Sequence, residues 1–150
     1  MESKHSMSIE GRLEEKAGFV ELARRSGIRL VLQFGSTVTG IRHPLSDVDI
    51  AVQFDRADVP LRQLLEITEE LQKLIPDQKI DLAVLNRADP LFLKQIVDRC
   101  LLLFGRSQDL ARLRMYAFTR YQDYRRFLAI ERQFVGDRLA ALCNGLRDPL

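Results

Sequence analysis

Residues 30–54 read LVLQFGSTVTGIRHPLSDVDIAVQF, and this stretch decides the fold. It contains two short apolar runs, 29–34 and 48–54, separated by a polar loop that includes a Gly-Ser pair and a proline turn. Short apolar runs bounded by glycine and proline are typical of buried strands. The second run opens with Asp-Val-Asp, so two carboxylates lead directly into a strand that is otherwise apolar.

Outside this stretch, helical and strand patterns alternate along the chain. Further strands are expected at 79–85 and 100–104, and helices at 13–26, between Pro60 and Pro76, and after Asp89-Pro90. Between residues 107 and 143 no proline occurs and apolar residues recur at helical spacing, which predicts one long helix or two stacked ones. This alternation indicates an α+β (α/β-like) fold with about four strands flanked by helices.

Composition restricts the class of protein. The chain has 150 residues, of which 46% are hydrophobic and 29% charged, as in a single globular domain and unlike a disordered, collagen-like or disulfide-rich protein. No apolar run is long enough for a membrane helix, and no secretory signal is visible. Cys100 and Cys143 lie in apolar surroundings and are expected to be reduced core residues of a cytoplasmic protein.

The expected domain organisation has three parts. Residues 1–12 are polar and include Ile-Glu-Gly-Arg, a recognition sequence for a processing protease used in expression vectors, so they are expected to be disordered or vector-derived. Residues 13–105 are expected to form the core. Residues 106–150 are expected to be a helical extension of the same domain.

Charge is distributed unevenly along the chain. Residues 47–89 contain ten acidic and five basic residues, whereas residues 99–138 contain nine arginines and four acidic residues. The arginines alternate with tyrosines at helical spacing, as in Arg112, Tyr116, Arg120 and Tyr124. Three interpretations stay open: tyrosines covering the sheet with arginines in water, a surface for a partner protein, or a nucleic-acid surface. The modest charge makes nucleic acid the least expected partner.

Three carboxylates stand at unusual positions. Asp47 and Asp49 flank Val48, so on a strand both point to one face with their Cα atoms about 6.6 Å apart. Asp81 occupies the same kind of position in the third apolar run. If these strands are neighbours, the carboxylates converge and require a cation, and oxygen ligands suit Mg²⁺ or Mn²⁺. The alternative is that these residues are turn formers or ordinary exposed side chains.

The pair Gly35-Ser36 directly follows the first predicted strand. Glycine lets a ligand approach the backbone, and serine offers a hydroxyl and an N–H to a phosphate oxygen, although the pair alone indicates only a turn. The chain has neither a P-loop nor a dinucleotide-binding glycine motif. His43 lies isolated in the proline turn, so Ser36 lacks the base that an acyl nucleophile needs.

Taken together, Gly35-Ser36, ten intervening residues and Asp47-Val48-Asp49 between two strands resemble the DNA polymerase β-like nucleotidyltransferase superfamily. Within it, the chain resembles the minimal nucleotidyltransferases, the MntA-type antitoxins of HEPN/MNT systems. The resemblance covers about residues 13–105. It implies a polymerase β palm-like fold with a small mixed sheet and a long C-terminal helix or helix pair.

The resemblance also implies an activity and roles for the site residues. Gly35 and Ser36, with Ser46, would bind the nucleotide, and Asp47, Asp49 and Asp81 would be the catalytic, metal-binding carboxylates for two Mg²⁺ ions, with Mn²⁺ as an alternative. The substrate would be ATP, and AMP would pass to a tyrosine of a HEPN ribonuclease toxin, which is the expected partner in a hetero-oligomer. All three acidic positions are present, so the enzyme is expected to be intact.

Two other functions stay open at this point. The chain could block a toxin stoichiometrically through its helical tail without catalysis. It could also be a nucleotidyltransferase acting on a small-molecule or RNA hydroxyl, although such enzymes usually carry a further domain that 150 residues leave little room for.

Overall fold

The chain forms a single mixed sheet with helices on both faces. A computed structural model describes residues 13–39 and 47–145. The elements in chain order are α1 (Leu13–Ser26), β1 (Ile28–Phe34), α2 (Ser36–Thr39), β2 (Val48–Phe54), α3 (Leu61–Leu74), β3 (Ile80–Val84), α4 (Pro90–Asp98), β4 (Leu101–Phe104) and α5 (Ser107–Gly145). The predicted strands and helices are confirmed, with bounds that differ by a residue or so.

The sheet has the strand order β3-β2-β1-β4. β1 pairs antiparallel with both β2 and β4, whereas β2 and β3 are parallel. The strands β1 and β2 are therefore central, which explains why both sequences are apolar at nearly every position. The expected small mixed sheet of four strands is confirmed.

Alternate residues of the strands face two separate cores. One face of the sheet packs under α1 and α3, with Ile50 and Val52 among its buried residues. The opposite face packs under α4 and α5 and includes Ala51 of β2. Because side chains alternate along a strand, Asp49 and Asp81 point to the face that carries α4 and α5. The fold thus directs both carboxylates to one side of the sheet.

α4 begins where its sequence predicts. The Asp89 side chain accepts hydrogen bonds from the backbone N–H groups of Leu91 and Phe92, and Pro90 occupies the first helical position. Both features satisfy or remove N–H groups that a helix leaves unpaired at its start. The aromatic ring of Phe92 then packs edge-on against Phe34 of β1, with ring centroids 6.0 Å apart.

α5 is one continuous helix rather than a stacked pair. Its 39 residues correspond to about 58 Å. Only its first turns pack on the body, where Leu110, Leu113 and Ala117 are buried. Among the described residues from 118 to 145, none is buried. No helix in the described part of the chain is both long and apolar enough to cross a membrane.

The expectation that both cysteines belong to the core is wrong for Cys143. Cys143 is exposed near the end of α5, and Cys100 is half-buried after α4. The helical spacing of apolar residues in α5 predicts a buried face along its whole length. The sheet and α4 are too short to cover more than the first turns, so the last turns have nothing to pack against.

The sharp turn between β4 and α5 depends on Gly105. Its φ of +112° is unfavourable for other residues, and a Cβ at this position would lie 2.5 Å from the backbone oxygen of Arg29.

We expect Gly105→Ala to lower the free energy of unfolding by about 2–4 kcal/mol, measured by urea denaturation. Gly136→Ala, in open space on α5, is the matched control and should cause no loss. Equal stability of the two variants would contradict this account of the turn.

Candidate active site

The candidate site lies at the edge of the sheet where β1 ends and where β2 and β3 begin. β1 runs antiparallel to β2, so the end of β1 meets the start of β2, and Phe34 pairs with Asp49. β2 and β3 are parallel, so their first residues lie side by side. The chain reversals of the fold therefore bring Gly35, Asp49 and Asp81 to one edge.

Asp49 and Asp81 are direct neighbours across the parallel pair of strands. Their Cα atoms are register partners, and both side chains point to the same face. Asp49 is half-buried and Asp81 is exposed. Burial, and then the negative charges of Asp81 and Asp47, raise the pKa of the Asp49 carboxyl above its usual value. The ionised form of this site thus carries an unfavourable interaction that a cation can relieve.

Gly35, which directly follows β1, lies against the carboxylate of Asp49. Its φ is +79°, in the region that favours glycine. A Cβ built on Gly35 would overlap the carboxylate of Asp49, so the close approach of these two residues requires glycine. The Gly35 carbonyl accepts hydrogen bonds from the N–H groups of Val38 and Thr39, at 3.1 and 3.3 Å, which starts the short helix α2.

Asp47 lies just before β2 and makes a different contact. Its Oδ2 atom is 3.7 Å from the Nζ atom of Lys79, and both side chains are largely exposed. The backbone N–H of Val48 donates to the carbonyl of Lys79 at 2.8 Å, which fixes the register at which β2 and β3 begin. Lys79 is a site residue that the sequence analysis missed. Its position immediately before the strand that carries Asp81 was the signal available for it.

The start of β3 is held by Gln72 of α3. Its amide nitrogen donates to the carbonyls of Ile75 and Gln78, at 2.9 and 2.7 Å, and its oxygen accepts from the N–H of Ile80 at 3.2 Å. These three bonds span the loop between α3 and β3. Gln72 therefore positions Asp81, which follows Ile80 directly.

The structure brings five of the predicted site residues to this edge: Gly35, Ser36, Asp47, Asp49 and Asp81. Ser36 is exposed at the first position of α2. Ser46, predicted to bind the nucleotide, and His43 lie outside the described residues.

The carboxylates fit a divalent metal ion by their chemistry. They are hard oxygen ligands, and the mutual repulsion that raises the pKa of Asp49 is the condition that a cation relieves. Within residues 13–39 and 47–145, however, no three acidic, histidine or cysteine side chains already form a complete metal-binding group.

Comparisons with known proteins agree with this geometry. A family model described as polymerase beta nucleotidyltransferase matches residues 20–109. The fold is similar to a chain in a crystal structure of a toxin-antitoxin with AMP-PNP, at 27% identity and a TM-score of 0.65, covering 83% of this chain and 98% of that chain. A search of curated proteins found no match.

Two more distant structures show the same fold. A structure of tri-AMPylated HEPN toxin in complex with MNT antitoxin from Shewanella oneidensis contains a chain that is 24% identical, with a TM-score of 0.60, covering 85% of this chain and 97% of that chain. A toxin-antitoxin structure of MntA-HepT also gives 24% identity and a TM-score of 0.60, covering 86% of this chain and 99% of that one.

The raised pKa of Asp49 has a consequence for stability. The folded state holds the Asp49 proton more tightly than the unfolded state, so ionisation opposes folding once the pH exceeds the unfolded pKa, about 3.9. We expect Asp49→Asn to raise the melting temperature at pH 7 in EDTA, with a gain that shrinks as the pH falls toward about 3.5.

The control for this measurement is Glu69→Gln, a charge loss at an exposed position on α3. It should show no comparable gain at pH 7. A gain for Asp49→Asn that is equal at both pH values would mean that packing, rather than charge, is responsible.

Proposed function

Because the chain belongs to the polymerase beta nucleotidyltransferase family, we propose that it transfers AMP from ATP to a tyrosine hydroxyl of a HEPN-domain toxin and thereby acts as its antitoxin. The observation that carries this proposal is the register pairing of Asp49 and Asp81 beside Gly35 at one edge of the sheet. The similar structures support the nature of the partner, since they are described as toxin-antitoxin structures, one with AMP-PNP and one with a tri-AMPylated HEPN toxin.

In the proposed reaction, the tyrosine hydroxyl loses its proton to solvent, its oxygen forms a bond to the α-phosphorus of ATP, and the bond from that phosphorus to pyrophosphate breaks. Gly35 and Ser36 would bind the triphosphate through backbone N–H groups and the serine hydroxyl. The absence of a side chain at Gly35 lets the Asp49 carboxylate lie directly against the backbone that would bind the phosphates. Ser46 is a further candidate for contact with the nucleotide.

Asp47, Asp49 and Asp81 would hold two Mg²⁺ ions, or Mn²⁺. Bound divalent ions neutralise the charge on the entering and leaving oxygens of a phosphoryl transfer. The half-buried Asp49 would be a ligand of these ions, and the exposed Asp81 would serve the side open to the acceptor hydroxyl. Lys79 would hold the Asp47 carboxylate at the edge of the sheet before an ion binds.

The proposal places the chain in the cytoplasm, in a hetero-oligomer with its toxin. Its residues 13–105 would form the catalytic core and residues 106–150 a helical extension of the same domain. The partner should be the product of a neighbouring reading frame, a short helical protein that contains the R-x4–6-H pattern of HEPN ribonucleases.

One observation favours a second function. Most of α5 is exposed and carries large apolar side chains, which is the surface that a purely stoichiometric antitoxin would use to hold its toxin. This alternative needs no carboxylate at the sheet edge. The two functions therefore differ in what the aspartates do.

Purified protein incubated with the HEPN-domain partner, Mg²⁺ and ATP labelled on its α-phosphate should label the partner. We expect Asp49→Ala or Asp47→Ala to reduce the rate of labelling by at least about 100-fold, because each would remove a ligand of the divalent ions that neutralise charge on the transferring phosphoryl group. Glu69→Gln should label at the wild-type rate. Labelling that survives both aspartate substitutions would eliminate the proposed site.

Survival of cells that express the toxin separates catalysis from simple binding. Wild-type protein should protect, and Asp49→Ala should fail to protect at equal expression. Full protection by Asp49→Ala would support the stoichiometric function and contradict the catalytic one.

A further inference from the structure

α5 crosses the sheet and extends beyond it. It begins directly after β4, and Asp109 and Arg112 then lie in a cleft with Arg29 of β1. Farther along, Leu113 and Tyr116 share a cleft with Gln53 near the end of β2 and with Leu85 and Asn86, which directly follow β3. α5 therefore packs on the face to which Asp49 and Asp81 point, and these contacts lie toward the opposite ends of β2 and β3 from the two carboxylates.

α5 still contacts the body at Tyr121. The Nζ atom of Lys94 in α4 lies 5.8 Å from the centroid of the Tyr121 ring. Residues 122–145 continue as helix for about 36 Å more. We call this segment the overhang.

The overhang continues the face by which α5 packs on the core. The buried positions 110, 113 and 117 are followed at the same helical spacing by apolar side chains along the whole overhang: Tyr124, Leu128, Val135, Leu139 and Leu142. The exposed fractions reach 49% at Val135, 57% at Leu139 and 63% at Leu142. An exposed apolar stripe of this length marks an interaction surface.

Arginines border this stripe on both sides. At about 100° per residue, Arg120 and Arg138 lie along one side of it and Arg125 and Arg132 along the other. The guanidinium of Arg125 lies 5.9 Å from the Tyr121 ring centroid, and that of Arg138 lies 5.6 Å from the Phe134 ring centroid. A guanidinium stacked on a ring keeps its N–H donors available for carboxylates.

The acidic residues of the overhang do not neutralise the arginines that border the stripe. Asp123 and Asp137 lie away from the stripe, and Glu131 is the one acidic residue within it in this segment. A second copy of the chain paired along the same stripe would bring arginine against arginine. Charge therefore disfavours self-association and favours an acidic partner.

We propose that the overhang is the docking surface for the acceptor protein, which binds it through an amphipathic helix with acidic residues beside its apolar stripe. This inference rests on the proposed function, because it assumes that the acceptor is a protein. The overhang would hold the acceptor on the enzyme without contributing to the chemistry.

The test compares two double variants of the full-length chain. Leu128→Asp with Val135→Asp places two charges in the stripe, whereas Ala129→Asp with Gln133→Asp places the same charges on the opposite, exposed face. Binding to the HEPN-domain partner is measured by calorimetry without nucleotide. We expect the stripe variant to lose about 30-fold or more in affinity, and the control to stay within about twofold of wild type. Equal affinity of the two variants would overturn the inference.

A second pair of measurements tests the chemistry of the partner. Charge reversal by Arg125→Glu with Arg132→Glu should weaken binding about tenfold at low salt and reduce its salt dependence. Unchanged affinity would contradict the inference that the partner is acidic. The chain alone should be monomeric by light scattering and should not shift a 30-nucleotide RNA. A dimer or an RNA complex that the stripe variant abolishes would also overturn the inference.

The outcomes separate this inference from the proposed function. If the stripe variant loses affinity for the partner while wild type binds the partner but does not label it, the docking surface stands and AMP transfer is wrong. If the stripe variant binds and labels the partner as wild type does, AMP transfer stands and the docking surface is wrong.

Discussion

Two carboxylates held side by side are the constraint on which the candidate site depends. The parallel register of β2 and β3 places Asp49 opposite Asp81, where burial and repulsion raise the pKa of Asp49. Such an arrangement opposes folding, so it persists only because the surrounding structure enforces it. The hydrogen bond from Val48 to Lys79, the three bonds of Gln72 and the apolar residues of β2 on both sides of the sheet supply that enforcement.

The part of the site that depends on local geometry was predictable from the sequence. Asp49 was expected at the start of an apolar strand and lies there, next to the end of β1, whereas Asp47 lies just before that strand. The turn after β1 has the positive φ that favours the glycine found there. The family match confirms the predicted palm-like nucleotidyltransferase fold. The pairing of Asp49 with Asp81 was not predictable in the same way, because register between strands about 30 residues apart is set by packing of the whole sheet rather than by either strand. Lys79 was missed for the same reason.

α5 shows a different limit of sequence reasoning. Its apolar residues recur at helical spacing in both halves, so the pattern that is buried at Leu113 looks identical at Leu139. Periodicity indicates which face of a helix needs a partner but does not show whether that partner belongs to the same chain. The exposed Cys143 follows from this, since a core position by pattern becomes a surface position when the body ends.

The charges of the carboxylate site and of α5 explain why one chain combines the two. A triphosphate cannot approach Asp49 and Asp81 without added positive charge, and Lys79 already engages Asp47 at this edge. The arginines that would otherwise compete for these carboxylates are concentrated on α5, where several lie on a helix that has left the body. Separation of the two charge sets along the chain leaves the carboxylates available to cations. It also leaves the arginines available to an acidic partner, so that neither set neutralises the other.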